Sequence, residues 1–211
     1  MFIASRCARL LGTAGALLLL ALAFPAHAVQ KGDWLIRAGL GHVAPTGDAT
    51  VPVVGGKLEA DDSTNLAINF TYMLSDDLGV ELLGALPFEH DLTHNSLGKV
   101  GETKQVPPTL ILLYNFSPKS GVRPYAGVGL NYTTFFSEKT TGALAGTSLK
   151  LDDSFGLAVE AGVDVDINKD WFFNASLWRI DIETEADSSL LGKFDVAIDP
   201  WVLFVGVGMR F

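Results

Sequence analysis

Cysteine is almost absent from this chain of 211 residues: Cys7 is the only one. A single thiol near the start leaves no partner for a stabilising disulfide. Positive charge is scarce as well, with 15 Lys and Arg against 24 Asp and Glu. Nucleic acid as a partner wants a basic footprint, so that class of function falls away. Long apolar runs are missing beyond residue 28, and with them any helix of the roughly 20 apolar residues that a bilayer requires. Phosphate-cradling loops are missing too, since "GVGLNY" and "GVGMRF" are glycines within strand patterns.

What the chain does have begins with an export signal. "MFIASRCARLLG" supplies Arg6 and Arg9, "TAGALLLLALAF" is an apolar run too short to span, and "AHA" (Ala26 to Ala28) is a small-x-small cleavage site. Residues 1–28 are therefore expected to be a signal peptide, and residues 29–211 a single domain. Cys7, Arg6 and Arg9 leave with the signal, so 13 basic residues face 24 acidic ones in the exported chain. That chain is greasy for so acidic a protein, with 48% hydrophobic residues overall and a positive mean hydropathy. Only helices and closed barrels can cross a bilayer, so the search turns to alternating strands.

Eight such segments are present. The clearest, "FGLAVEAGVDVD", sets Phe155, Leu157, Val159, Ala161, Val163 and Val165 against Gly156, Ala158, Glu160, Gly162, Asp164 and Asp166. The last, "WVLFVGVGMRF", puts Trp201, Leu203, Val205, Val207 and Met209 on one face and Val202, Phe204 and Arg210 on the other. Side chains in a strand alternate between faces, so each segment offers one continuous apolar face. The pattern predicts antiparallel strands near 32–43, 63–73, 79–88, 107–116, 123–134, 154–167, 171–184 and 196–211. Short turns, "LSDD", "SPKSGV" and "NKD", alternate with long polar stretches such as "APTGDATVPVVGGKLEADD". This rhythm puts every tight turn on one side, the plan of an all-β, eight-stranded antiparallel transmembrane barrel with long external loops and both termini in the periplasm. Tyr72, Tyr114, Phe116, Trp171 and Phe211 fall near the short turns, where an aromatic girdle belongs.

Several stretches resemble the OmpW family of Gram-negative outer-membrane proteins: "FTYMLSDDLGVELLGALPFEH", "VPPTLILLYNF", "RPYAGVGLNYTTFF", "INKDWFFNASLWRIDIET" and "DPWVLFVGVGMRF". The resemblance implies an eight-stranded barrel with a hydrophobic interior channel that takes up small apolar compounds. The chain departs from the family in its first and third long loops, and at Gln105 and Val106 just before "PPT".

Sorting inward-facing positions by depth divides the lumen. Arg37, Glu81, Glu160, Asp164 and Arg210 are expected to form an ion-pair plug toward the periplasm, because buried charges require partners. Leu83, Ala85, Pro87, Ile111, Phe135, Trp178, Ile180, Val202 and Phe204 are expected to line an apolar cup above it. Pro87, Pro107 and Pro108 sit at the outer ends of neighbouring segments, where proline withholds ladder hydrogen bonds, so a weak lateral seam is expected there. "EHDLTH" brings His90, Asp91 and His94 close in sequence, but reads as a solvated polar loop and not a metal site. No nucleophile motif frames any Ser, so no enzymatic role, cofactor or metal is expected. The reading is a channel for small hydrophobic solutes, with outer-membrane lipid, lipopolysaccharide and the barrel-insertion machinery as partners. The alternatives are a structural or adhesive barrel acting through its loops and, third, an outer-membrane enzyme.

Overall fold

Period-two alternation organises almost the whole molecule. A computed structural model describes residues 28–51 and 54–211; the expected signal peptide lies outside the described residues except for Ala28. The barrel strands are β1 (Trp34–Ala44), β4 (Ser63–Met73), β5 (Leu78–Ala85), β8 (Thr109–Asn115), β9 (Val122–Thr140), β11 (Ser154–Asp166), β12 (Trp171–Ile180) and β15 (Trp201–Arg210). Each is antiparallel to its neighbour in the order β1-β4-β5-β8-β9-β11-β12-β15, and β15 pairs with β1 to close the cylinder. Closure leaves no open sheet edge among the eight. Among the described residues no helix is long and apolar enough to cross a membrane.

Outward-facing side chains are apolar and exposed all round, among them Leu40, Leu66, Leu112, Val128, Leu157, Phe173 and Val205. A continuous apolar band of this kind is a lipid face. At its short-turn edge Trp34 packs on Tyr72 with ring centroids 5.0 Å apart, and Tyr114 meets Phe116 edge-on at 5.3 Å. These rings, with Trp171 and Phe211, form the expected girdle.

The long stretches are not coil. They form β2 (Ala49–Thr50), β3 (Lys57–Ala60), β6 (Phe88–His94), β7 (Gly98–Val106), β10 (Leu149–Leu151), β13 (Glu183–Ser188) and β14 (Gly192–Ala197). The hairpin β6–β7 stands on top of β5 and β8, with β7 also paired to the upper end of β9 and β3 paired to β6. β10, β13 and β14 make a separate three-stranded sheet. Three expected strands are shortened at their upper ends for this reason: β5 stops at Ala85, β12 stops at Ile180, and β15 starts only at Trp201. The residues beyond belong to the crown of hairpins. β9 is longer than expected, running on to Thr140 with Ser137 at positive φ where its register with β7 shifts.

Candidate functional site

Inside the barrel the short-turn end is closed first by apolar packing. Val29, Leu35, Met73 and Phe172 form a small buried cluster beneath the charged layer. Val29 is tied across the bottom by its backbone N–H, which donates to the Pro118 carbonyl at 2.8 Å.

Above them sits Arg37, fully buried. Its Nε and Nη2 donate to the two oxygens of Asp164 at 3.0 and 2.8 Å, a bidentate fork. Nη1 donates to Thr71 Oγ1 at 2.6 Å and to Glu81 at 2.7 Å. The guanidinium also lies 5.1 Å from the Tyr125 ring centroid and 5.5 Å from that of Phe172. Tyr125 can lie there because Gly162 faces it across the β9–β11 ladder. A Cβ at Gly162 would stand 2.5 Å from the tyrosine ring. Asn174 completes the layer, donating to Asp164 at 2.7 Å and to the Tyr125 hydroxyl at 2.8 Å.

Two of the expected plug residues are placed differently from the expectation. Arg210 faces Asp166 at 3.7 Å and donates to the Lys169 carbonyl at 2.9 Å, one layer nearer the turns. Glu160 is buried beside Ser176 and Tyr125, and no cation among the described residues is in ion-pair range of it. The cation that sequence reasoning missed is Arg123, fully buried, 2.6 Å from Asp166 and 4.0 Å from Asp164. It lies two residues before Tyr125 and shares its face, at the first position of the expected strand 123–134, so parity alone could have found it.

Above the charged layer the lumen becomes apolar. Leu83, Ala85, Trp178, Ile180, Val202 and Phe204 line a cavity together with Val43, Ala67, Phe88 and Pro107. Its space open to a water-sized sphere is about 10 Å³, room for one water at most. Ile111 is buried in the same hydrophobic cluster but does not line the cavity. Pro87, expected inside, points outward and is exposed. The strand breaks between β5 and β6, which resets the alternation and turns Phe88 inward instead. Phe135, expected in the same cup, belongs to a second cleft higher up.

The break is also an interruption of the barrel wall. β5 and β8 pair from Leu78–Tyr114 to Leu83–Thr109, and pairing resumes only at Phe88–Gln105 between β6 and β7. Residues 84–87 and 106–108 lie between, three of them prolines. Leu83, Ala85, Phe88 and Pro107, from both sides of the interruption, line the cavity just behind it.

The second cleft lies among the hairpins. Leu58, Leu92, Phe135, Leu149, Leu151 and Ile198 provide its apolar walls, His90, Thr103 and Gln105 its buried polar points, and the exposed Glu59 a charged residue on its lining. Its cavity volume is about 30 Å³, so the cleft is a narrow slot. The solvated-loop reading of "EHDLTH" is corrected here. His90 and His94 lie on a strand and are buried, while Glu89, Asp91 and Thr93 alternate with them. His90 Nδ1 is 2.6 Å from the Asp61 carbonyl and Nε2 is 2.9 Å from Gln105 Nε2. His94 Nε2 binds the Gly55 carbonyl at 2.8 Å. Their ring nitrogens are thus spent on separate partners, and among the described residues no group of His, Cys, Asp and Glu is arranged to hold a metal ion.

Comparison with known proteins agrees with this architecture. A family model described as "OmpW family" matches residues 30–211. The outer membrane protein W of Vibrio cholerae is 42% identical over 201 residues, covering 89% of this chain and 92% of its own. The crystal structure of the outer membrane protein OprG from Pseudomonas aeruginosa superposes with a TM-score of 0.80 at 39% identity, covering 89% of this chain and 99% of that one. A more distant relative, the dibenzothiophene metabolism operon protein PahQ of Pseudomonas aeruginosa, is 29% identical over 92% of this chain and 95% of its own. The chain is a member of the OmpW family, an eight-stranded β-barrel of the outer membrane.

Proposed function

We propose that this barrel passes small apolar molecules from the outside into the outer membrane, through the slot among the hairpins and out sideways at the interruption between β5 and β8. The observation that carries the reading is the position of the apolar cavity, directly behind the missing ladder bonds and above a sealed floor. A solute that reaches Trp178 and Phe204 meets the buried Arg37 layer below and has no apolar route onward. Sideways it meets lipid, in which it is more soluble than in water. The cavity is closed to anything larger than water in this conformation. Passage therefore requires residues 84–87 and 106–108 to part, a motion opposed by no inter-strand hydrogen bond between them. The name of the relative from a dibenzothiophene metabolism operon is compatible with flat, apolar cargo.

The test is a crosslink across the interruption. Extending the β5–β8 register makes Leu86 and Val106 cross-strand neighbours, and residues 29–211 contain no native cysteine. The Leu86→Cys, Val106→Cys pair, closed by a disulfide or a short bis-thiol linker, is expected to slow protein-dependent naphthalene uptake at least tenfold. Reductive opening of the disulfide is expected to restore it. Undiminished uptake with the crosslink fully formed rules out the lateral route. Absence of any protein-dependent uptake rules out the conduit.

A further inference from the structure

The polar points of the upper slot have an arrangement that apolar passage does not require. Thr103 and Gln105 are both buried, both line the slot, and among the described residues Thr103 Oγ1 and Gln105 Oε1 have no hydrogen-bond partner. Buried polar atoms are paired in the great majority of cases, so two orphans in one apolar slot point to something that pairs them.

The hydrogen bonds around them fix which atom is left over. The Asp61 carbonyl can only accept, so His90 Nδ1, 2.6 Å away, carries the proton. Burial pushes the His90 ring below its ordinary range, against the pull of Asp61 and Asp62, so the ring is neutral. A neutral ring with its proton on Nδ1 presents Nε2 as an acceptor, and the atom of Gln105 that meets it at 2.9 Å must be the amide nitrogen. His90 thereby fixes the orientation of the Gln105 amide, and Oε1 is left as an acceptor without a donor. Thr103 lies directly opposite His90 in the β6–β7 ladder and two residues from Gln105 on the same face of β7. Two residues along a strand span roughly 7 Å, a gap that one small polar group can occupy between the two side chains. An acceptor on one side and a hydroxyl on the other match a group that both donates and accepts.

We propose that the slot selects flat apolar molecules bearing one hydroxyl, which donates to Gln105 Oε1 and accepts from Thr103 Oγ1–H, over hydrocarbons of the same shape. His90 is a positioning residue that keeps the Gln105 carbonyl turned toward the solute. The walls contribute only shape: Leu58, Leu92, Phe135 and Leu151 discriminate little between a ring and the same ring with a hydroxyl. A site built to hydrogen-bond a hydroxyl discriminates much more, because the hydrocarbon leaves the buried partners unpaired. This inference rests on the reading that the slot admits apolar solutes.

The probe pair is 1-naphthol and naphthalene, which differ by that hydroxyl alone. Binding to the mature chain in lipid nanodiscs is measured by equilibrium dialysis against empty nanodiscs, so that partition into lipid is subtracted. Wild type is expected to bind 1-naphthol about tenfold more tightly than naphthalene. Gln105→Met and Thr103→Val, which keep shape and remove the polar atom, are each expected to reduce that ratio severalfold, with naphthalene bound no more weakly than by wild type. The mobility of unheated protein on a gel reports that both variants remain folded barrels. Equal binding of the two probes to wild type overturns the hydroxyl preference and leaves the conduit standing. A parallel loss of both probes in the variants assigns the residues a purely structural role and also overturns it. No protein-dependent binding of either probe removes the conduit reading itself.

Discussion

Replacing Arg37 by Met tests whether the charged floor is held by one residue. Arg37 makes four side-chain hydrogen bonds, two to Asp164, one to Glu81 and one to Thr71, and none of these atoms touches solvent. Methionine fills a similar length but leaves two buried carboxylates without their cation. The two are not equally stranded. Asp164 keeps the Asn174 amide at 2.7 Å and Arg123 at 4.0 Å. Among the described residues Glu81 keeps only the Thr71 hydroxyl, at 2.5 Å. Removing one partner of a buried pair costs about 3–5 kcal/mol, and with Asp164 partly compensated a loss of about 4 kcal/mol is expected. With a urea slope of about 2 kcal/mol/M, the unfolding midpoint in lipid vesicles should fall by about 2 M. The cost comes from stranded charge and not from lost attraction, so it should be recoverable. Adding Glu81→Gln and Asp164→Asn to Arg37→Met makes the layer neutral and should restore more than half of the shift. Lys57→Met, which breaks the exposed 2.6 Å pair with Asp48, should leave the midpoint within error. An Arg37→Met midpoint indistinguishable from wild type, or a triple variant no more stable than the single one, would refute this account of the floor.

Orientation and pH response give two further checks. On intact cells, added protease should cut at hairpin tips such as residues 95–97 and 189–191, and should spare the short turn at 117–121. Cleavage at that turn from outside would invert the barrel. Burial depresses the His90 pKa, with Asp61 and Asp62 the charged groups facing it and Gln105 and Thr103 its neutral neighbours. A depressed base contributes stability that is fully present above its unfolded value of about 6.5 and is lost as pH falls through the folded value. Amide exchange in β6 and β7 should therefore accelerate as pH falls from 7 toward 5, relative to exchange in β11 after correction for the intrinsic rate. His90→Gln should remove that dependence, and an unchanged pH response in this variant would assign the effect to other groups.

The barrel was legible because its signal is redundant: eight separate segments repeat the same alternation, and the short turns fall after every second one. The crown above it was not, because its strands are short and their inward faces mix apolar and polar side chains. In β6, Phe88, His90, Leu92 and His94 alternate as regularly as any barrel strand. Two histidines in the inward series disguise it as a polar loop, since imidazole counts as polar until its nitrogens are seen bonded to Asp61, Gln105 and Gly55. Arg123 and Arg210 expose a different limit. Parity shows that a side chain faces the lumen, but pairing depends on how far the strands are staggered. Stagger sets Asp166 beside Arg210.

Pro87, Pro107 and Pro108 join these strands of argument. Proline can neither donate to a ladder nor let the residue before it adopt every conformation, so a pair of prolines facing a third interrupts both partners at the same height. The interruption allows β6 to restart with its alternation shifted by one, so that Phe88 and not Pro87 faces inward. That shift gives the lumen cavity its upper wall, and it also sets the phase of β6, which turns His90 toward Thr103 and Gln105 in the slot. Filling the interruption with ladder-forming residues would therefore do more than close a gap. It would put β6 back in phase with β5, turn Glu89 and Asp91 inward, and bury two carboxylates where the slot now has apolar walls. The burial cost of those charges opposes that register, so the break and the slot above it are set by the same three residues.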